Sequence, residues 1–364
     1  MKRYLSFVLP THNEEKNIIP IIEEILEFNN FYEIEIIVVD DDSKDNTQKL
    51  VREFAKENRT VRLISRVGRY GLSSALKEGC LNSMGEIIAI MDSDGQHEVH
   101  SVYEACRYLL NNDVDIIIGS RFLENSSING LSSWRKKGST FVNNLLSKTL
   151  KNNHGNITDS LSGCFVFKRS SCLPYIKKID INGFKFLYEL LAISKGRLKF
   201  HEIALDFKAR LHGTSNFNIA VVWDLFISII HALTNRILPR RAISFAIVGL
   251  LGVFVQLFVV YILMGVLGFT FIKALPFAVL SAASSNFLIN NLVTFRNKRL
   301  FGNDFFIGLF KFLLVSSLPV IANIGLASSF YNNVSSNTFL SQMAGIIVVF
   351  IWNYAASSRF VWDN

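Results

Sequence analysis

The stretch Gly85-Glu-Ile-Ile-Ala-Ile-Met-Asp-Ser-Asp-Gly-Gln-His97 is the most informative part of the chain. An apolar run long enough for a buried strand ends abruptly in Asp92, Asp94 and Gln96, three oxygen-bearing side chains at alternating positions. Hard oxygen ligands at the carboxyl end of a strand suit Mg2+ or Mn2+, ions that favour oxygen donors together with phosphate. The chemistry suggested is that of a nucleotide-activated substrate. The competing reading is a polar turn after a strand, since Asp, Ser and Gly are ordinary turn formers. The neighbouring segments decide between them.

Working back towards the start, strand and helix patterns alternate. Leu5 to Leu9 reads as a strand, Ile18 to Phe28 as a helix, and Ile34 to Val39 as a strand ending in Asp40-Asp41-Asp42. Gln48 to Glu57 is a helix, Val61 to Ile64 a strand, and Leu72 to Ser83 a helix leading into the Ile87 to Met91 strand. This β-α-β repetition predicts an α/β domain with a mostly parallel sheet. Ligands of such sheets bind beyond the carboxyl ends of strands, where Pro10-Thr-His-Asn-Glu14 and both acidic clusters fall. A calcium loop at Asp40 is excluded, because Asp45 stands where an EF-hand needs Gly and Val51 where it needs Glu. Asp115 to Gly119 is a further strand, ending in Ser120-Arg121.

Working forward, charge is concentrated before Arg241 in this chain of 364 residues. Beyond it lie four apolar stretches, roughly Ala242 to Val266, Ala274 to Phe295, Phe312 to Tyr331 and Phe339 to Phe360. Each holds about twenty residues or more, enough at about 1.5 Å per residue to cross a hydrocarbon core of about 30 Å. An integral membrane protein with four transmembrane helices is expected. Arg236, Arg240 and Arg241 precede the first stretch, Arg296, Lys298 and Arg299 follow the second, and Arg359 closes the fourth. The loops Gly265 to Phe269 and Asn332 to Thr338 carry no charge. By the positive-inside rule both the soluble half and the C-terminus face the cytoplasm. The apolar run at Met1 to Pro10 is too short for a signal peptide.

The formal charge of +8 is explained by this placement, and no nucleic-acid partner is expected. Cys80, Cys106, Cys164 and Cys172 show no Cys-x-x-Cys spacing, which fits reduced thiols and neither a zinc site nor a disulfide framework. His97 and His100 follow the aspartates, but the hard oxygen donors beside them disfavour zinc. Two segments, Trp134 to Leu150 and Phe217 to Leu238, carry apolar residues at helical spacing. They read as amphipathic helices at a membrane surface, with packing onto the sheet as the alternative.

Taken together, Val8-Leu-Pro-Thr-His-Asn-Glu14, Val38-Val-Asp-Asp-Asp-Ser43, Gly68-Arg-Tyr-Gly-Leu-Ser-Ser-Ala-Leu-Lys-Glu-Gly79 and Met91-Asp-Ser-Asp-Gly-Gln96 resemble glycosyltransferase family 2. The resemblance implies a GT-A nucleotide-sugar-binding fold. Gly119-Ser-Arg121, Asp159-Ser-Leu-Ser-Gly163 and Arg210-Leu-His-Gly-Thr-Ser215 are similar to its polyprenyl-phosphate branch, the dolichol-phosphate mannose synthase type. Ser160 stands where that branch usually has Pro, and Asn216 where it usually has a basic residue. The C-terminal half resembles the GtrA-type domain of four helices. A weak internal repeat, Phe245 through Gln256 with Phe312 through Asn323, agrees with two related helix hairpins. The organisation expected is a catalytic domain over 1–216, an amphipathic interface helix or linker over 217–240 and a transmembrane domain over 241–364.

The resemblance further implies inverting transfer of a sugar from a nucleotide diphosphate to a polyprenyl phosphate, dolichyl or undecaprenyl, with Mg2+ or Mn2+ as cofactor. Asp92, Asp94 and Gln96 would hold the metal. Pro10, His12, Glu14, Asp41, Arg69 and Asp92 map onto the nucleotide pocket, with Asp41 accepting from a ring N–H of the base. Arg121 and Arg135 would face the acceptor phosphate, Arg210 and Ser215 would lie on a closing loop, and Lys185 and Glu189 would lie near the sugar. Asp94, Arg121 and Arg210 are the expected catalytic residues. Guanidinium groups suit this work because they grip phosphate oxygens in bidentate fashion. Each of these cations could instead serve a surface ion pair, and Lys185 with Glu189 an i, i+4 pair.

Mannose from GDP-mannose is the leading donor reading and glucose from UDP-glucose the runner-up, because nothing in the motifs fixes the base or the sugar. A processive polysaccharide synthase would be expected to carry Gln-x-x-Arg-Trp, which does not occur. A non-catalytic lipid-sugar translocation partner is disfavoured by the intact Asp92, Asp94 and Gln96. The membrane is an expected partner, and a homo-oligomer through the transmembrane domain is left open.

Overall fold

The computed structural model describes residues 3–68, 71–124, 126, 133–180, 185–206, 219–234, 237–333 and 338–362. They form two compact units, Met1–Leu233 and Thr234–Asn364.

The first unit is built on seven strands: β1 (Arg3–Thr11), β2 (Tyr32–Asp40), β3 (Val61–Ser65), β4 (Ile87–Ile90), β5 (Ile116–Ser120), β6 (Phe165–Lys168) and β7 (Phe200–Ala204). Their order in the sheet is β3-β2-β1-β4-β6-β5-β7. Every pairing is parallel except those of β6, which runs antiparallel to β4 and β5. Helices α1 (Ile18–Leu26), α2 (Thr47–Glu57), α3 (Leu72–Asn82), α4 (Val99–Asn111), α5 (Ser133–His154), α6 (Arg169–Ile176), α7 (Phe186–Ser194) and α8 (Ile219–Leu233) complete the unit.

Both faces of the sheet are covered, which is why its central strands read as unbroken apolar runs. Leu5, Phe7, Leu9, Ile36, Val38, Ile87 and Ala89 point into one core with Ile18, Ile22 and Ile25 of α1 and Val99, Val102 and Leu109 of α4. Their neighbours Val8, Ile37, Val39, Ile88 and Ile90 point the other way, onto α3, α6 and α7. The expected strands and helices up to β5 occupy the expected places, with ends that differ by at most two residues. For the amphipathic segments the expectation is a membrane surface, with the sheet as the alternative. Leu146 and Leu150 of α5 are buried in the second core, and Ile227 of α8 is buried too. Phe141, Val222, Phe226 and Leu233 remain exposed.

The second unit contains α9 (Arg240–Gly265), α10 (Phe271–Ile289), a π-helical turn at Asn290–Thr294, α11 (Gly302–Asn333) and α12 (Thr338–Phe360). Helix α9 packs on α10, and α11 on α12. Among the described residues, Arg240–Gly265 and Phe271–Thr294 are long and apolar enough to cross a membrane, with mean hydropathies of 2.6 and 1.4. Phe254, Leu257, Phe258 and Tyr261 on α9 are exposed, an outer surface suited to lipid rather than water.

Phe245 near the start of α9, Phe287 and Phe295 at the end of the α10 hairpin arm, Phe312 on α11 and Trp362 after α12 form one buried cluster. The Trp362 ring stacks on that of Phe295, with centroids 4.1 Å apart and planes nearly parallel at 6°. Its indole Nε1 donates to Asn291 Oδ1 at 3.1 Å, and Asn291 in turn bonds both backbone groups of Leu300. Trp362 therefore ties the end of α12 to α10, to the turn that follows it and to α11, and Phe245 of α9 joins the cluster through Phe312. Trp362→Ala is expected to destabilise this unit by about 3–5 kcal/mol, the usual range for emptying a buried aromatic site. Trp362→Phe, which keeps a stacking ring, should cost clearly less. Thermal unfolding in detergent reads the difference, and equal melting points for both variants and the parent chain would contradict it.

Candidate active site

Strands β1, β2 and β4 are parallel neighbours and β5 points the same way, so their carboxyl ends share one edge of the sheet. The chain leaves β1 towards β2 and β3 and returns on the other side through β4, the switch point at which α/β sheets open a crevice. His12, Asp41, Asp92 to Gln96 and Arg121 all follow these strand ends directly.

The β1 and β2 ends are fastened to each other. His12 Nδ1 lies 2.9 Å from the Asp41 carbonyl oxygen, and Asn13, at φ +57°, receives Lys44 N–H on its Oδ1 at 2.8 Å. Glu14 accepts from Asn17 Nδ2 at 2.6 Å, and its backbone N–H donates to Thr47 Oγ1 at 2.9 Å. Ser93 Oγ donates to the Pro10 carbonyl at 2.8 Å and so joins β4 to β1.

Asp41 is buried, and its carboxylate takes the Gly71 N–H at 2.7 Å and an ion pair from Arg66. Burial raises its pKa, against the opposing pull of Arg66 and the Gly71 N–H. Arg66, itself buried, also reaches Glu78 at 3.2 Å and Ser74. No motif in the sequence singles out Arg66. The one signal for it is its position, a cation immediately after the third parallel strand.

At the end of β4, Ser93, Asp94, Gln96 and His97 are all buried. Gly95 adopts φ +74°, a left-handed conformation that suits glycine, and the turn brings Gln96 N–H to 3.1 Å from Asp94 Oδ1. Asp92 Oδ2 lies 3.6 Å from His97 Nε2. Burial acts to raise the Asp92 pKa, but His97, Lys185 and Arg121 outweigh it and hold the carboxyl below the ordinary range. The Asp92 carboxylate also lies against Gly163, where any Cβ would be driven into it.

Gly163 belongs to the segment that precedes β6. Because β6 is antiparallel, its starting end lies at the same edge as the finishing ends of β4 and β5. Asp159 is thereby delivered to Arg121, and its carboxylate accepts from Arg121 Nε at 2.7 Å, Nη2 at 2.9 Å and the backbone N–H at 3.2 Å. Asp159 is fully buried, so Arg121 is held by a buried bidentate pair. The guanidinium expected to meet an acceptor phosphate is engaged side-on by a carboxylate of its own chain.

Lys185 stands before α7 and feels Asp92, Arg121, Asp159 and Asp94. Desolvation lowers its pKa, opposed first by Asp92, with Arg121 adding to the lowering. Glu189, in the first turn of α7, is buried. Arg69, Arg210 and Ser215, and the side chain of Arg135, lie outside the described residues.

The donor set is that of a hard cation. Cys164 lies close enough to feel Asp92, and burial and then Asp92 push its thiol up to about 12. Among the described residues no group of three or more His, Cys, Asp or Glu side chains forms a closed metal cage. Asp92, Asp94 and Gln96 would supply part of a shell that substrate phosphate oxygens complete, the usual manner of binding Mg2+.

A GT-A-like sheet with an acidic cluster at its switch point, joined in one chain to a unit of apolar helices, defines a membrane protein of the glycosyltransferase class. Residues 6–173 match the model for glycosyl transferase family 2, and residues 244–362 match that for the GtrA/DPMS transmembrane domain. The chain joins a family 2 glycosyltransferase domain to a GtrA/DPMS transmembrane domain. It is 26% identical over 364 residues to a dolichol-phosphate mannosyltransferase of Pyrococcus furiosus, covering 98% of this chain and 99% of that one. A dolichyl-phosphate beta-glucosyltransferase of Trichomonas vaginalis is 28% identical over 221 residues, 56% of this chain and 65% of its own. Among solved structures, glucosyl-3-phosphoglycerate synthase from Mycobacterium tuberculosis with Mn2+, UDP and product superposes with a TM-score of 0.47 at 22% identity. That superposition covers 64% of this chain and 80% of the other.

Proposed function

We propose that this protein transfers mannose from GDP-mannose to a polyprenyl phosphate at the membrane, with inversion at the anomeric carbon. The observation that carries this reading is the meeting of Asp92 and Asp94 with Arg121 and Lys185 at one sheet edge. In this reading the carboxylates would hold a metal for the nucleotide diphosphate, Arg121 would meet the second phosphate, and Lys185 would lie near the sugar. The full-length match to a dolichol-phosphate mannosyltransferase supports mannose, since the glucosyltransferase relative matches over just 56% of the chain.

In this reading a phosphate oxygen of the acceptor forms a bond to the anomeric carbon. The bond from that carbon to the diphosphate oxygen breaks, and its electron pair leaves with GDP. A phosphate monoester is largely ionised near neutral pH, its second pKa being about 6, so no strong base is required. The site must instead bring two anions together. Mg2+ or Mn2+, when bound by Asp92, Asp94 and Gln96, neutralises charge on the leaving diphosphate. Arg121 orients the acceptor phosphate, with Arg135, Arg210 and Ser215 as further contacts. Pro10, His12, Glu14, Asp41 and Arg69 form the nucleotide pocket, and Lys185 and Glu189 lie near the sugar. The catalytic part spans 1–216 and the membrane part 241–364. Four spans with the catalytic unit and C-terminus in the cytoplasm accord with the basic residues flanking the helices and with the Trp362 cluster.

Transfer of radiolabel into organic-extractable lipid, from GDP-mannose and separately from UDP-glucose, tests the proposal. Label from GDP-mannose alone, abolished by a chelator and restored by Mg2+ or Mn2+, is the expected result. Label from UDP-glucose alone would overturn the donor assignment, and label from neither the whole reading.

A further inference from the structure

The bonds that aim Arg121 begin at a residue that does not touch it. Glu202, on edge strand β7, accepts the Thr158 N–H with both carboxylate oxygens at 3.0 and 2.9 Å. Its Oε1 also takes the Thr158 hydroxyl at 3.0 Å and the Asp159 N–H at 3.0 Å. From the opposite side, Asn143 of α5 receives Ser160 N–H and Oγ on its Oδ1, both at 3.0 Å, and donates through Nδ2 to the Thr158 carbonyl. Ser120 Oγ lies 2.6 Å from Thr158 Oγ1. Residues 158–160 are thus held by both β7 and α5, and the fully buried Asp159 carboxylate pairs with Arg121.

Building on the proposed reaction, we infer that Glu202 is a positioning residue for the acceptor phosphate, acting through Thr158 and Asp159 on Arg121. Asp159 grips the guanidinium by Nε and Nη2, so the Nη1 edge is turned away from that carboxylate. The direction in which this edge points follows the orientation of Asp159, and Glu202 sets that orientation. An anionic side chain is needed for the task. The peptide N–H groups of residues 158 and 159 and the Thr158 hydroxyl all converge as donors on one carboxylate. Glutamine has the same size and can keep an oxygen at the Oε1 position for all three donors, but it loses the negative charge and turns an NH2 group towards the Thr158 N–H where Glu202 Oε2 accepts from it.

The test compares the full-length chain with Glu202→Gln and Glu202→Asp in detergent. In Glu202→Gln, KM for polyprenyl phosphate should rise about tenfold, the size of losing one hydrogen bond to a charged acceptor, with KM for GDP-mannose unchanged within about twofold. Glu202→Asp, which keeps the charge, should recover part of the loss. If Glu202 merely staples the edge strand, the melting point will fall while the two KM values stay unchanged or rise together, and the inference is overturned. Should Glu202→Gln fail to fold, Thr158→Val removes a single hydroxyl from the clamp, and an unaltered acceptor KM in that variant overturns it equally. Equilibrium binding of polyprenyl phosphate without any sugar donor separates this inference from the reaction on which it rests. Weaker lipid binding in Glu202→Gln supports it even where GDP-mannose proves the wrong donor, whereas a parent chain that binds no polyprenyl phosphate defeats both.

Discussion

Replacing Asp94 by Asn is expected to lower the rate of sugar transfer by about 10²–10³-fold while leaving the chain folded, the scale of removing one preorganised charge-stabilising group. Asp94 is buried beyond the end of β4, in a turn that Gly95 makes possible, and its Oδ1 receives the Gln96 N–H. Asparagine can keep that bond through its own Oδ1, so the turn survives. What disappears is the negative charge that draws a divalent cation into a site with no closed cage of protein ligands among the described residues. Two readouts check the account. The turnover number should fall at saturating donor and acceptor, and binding of GDP should lose its dependence on Mn2+ while metal-free binding persists. Activity within about threefold of the parent chain would remove Asp94 from the chemistry.

Asp159→Ala is expected to cost about 3–5 kcal/mol of stability in the catalytic unit, because it strands a cation inside the protein. Arg121 loses the acceptor for Nε, Nη2 and its backbone N–H at once, and the position vacated by Asp159 is fully buried. Removing both partners behaves differently from removing one. The double variant Asp159→Asn with Arg121→Gln leaves two neutral amides able to bond each other, and should regain much of the lost stability while remaining inactive. Urea denaturation compares the two, and transfer assays on the same preparations separate folding from function. Equal stability of Asp159→Ala and the parent chain would show that the pair contributes nothing. Equal losses in single and double variants would show that the charge imbalance is not the cause.

Several features of the site are legible in the order of residues along the chain. The runs Leu5 to Leu9, Ile34 to Val39 and Ile87 to Met91 are apolar on every residue or nearly so, the mark of strands covered on both faces. The polar motifs that follow them must lie at one edge once the strands are parallel. Asp92, Asp94 and Gln96 can therefore be placed from spacing alone. The role of Arg66 is not legible in this way, because a single arginine after β3 looks like any surface cation until Asp41 is found against it. Glu202 leaves no trace in the pattern. It sits on a short edge strand whose residues alternate without a clear apolar face, and its partners are backbone groups 43 and 44 positions away.

The α/β character, the parallel order of the first strands and the apolar second half follow from sequence by itself, since hydrophobic periodicity and span length are local properties of the chain. Tertiary structure alone decided that β6 enters the sheet antiparallel between β4 and β5. That reversal carries Asp159 and Gly163 to the edge where Asp92 and Arg121 stand, and it makes a buried ion pair of two residues 38 positions apart. Strand direction depends on long-range pairing and on which edge remains open when the strand arrives. No local pattern of residues records it.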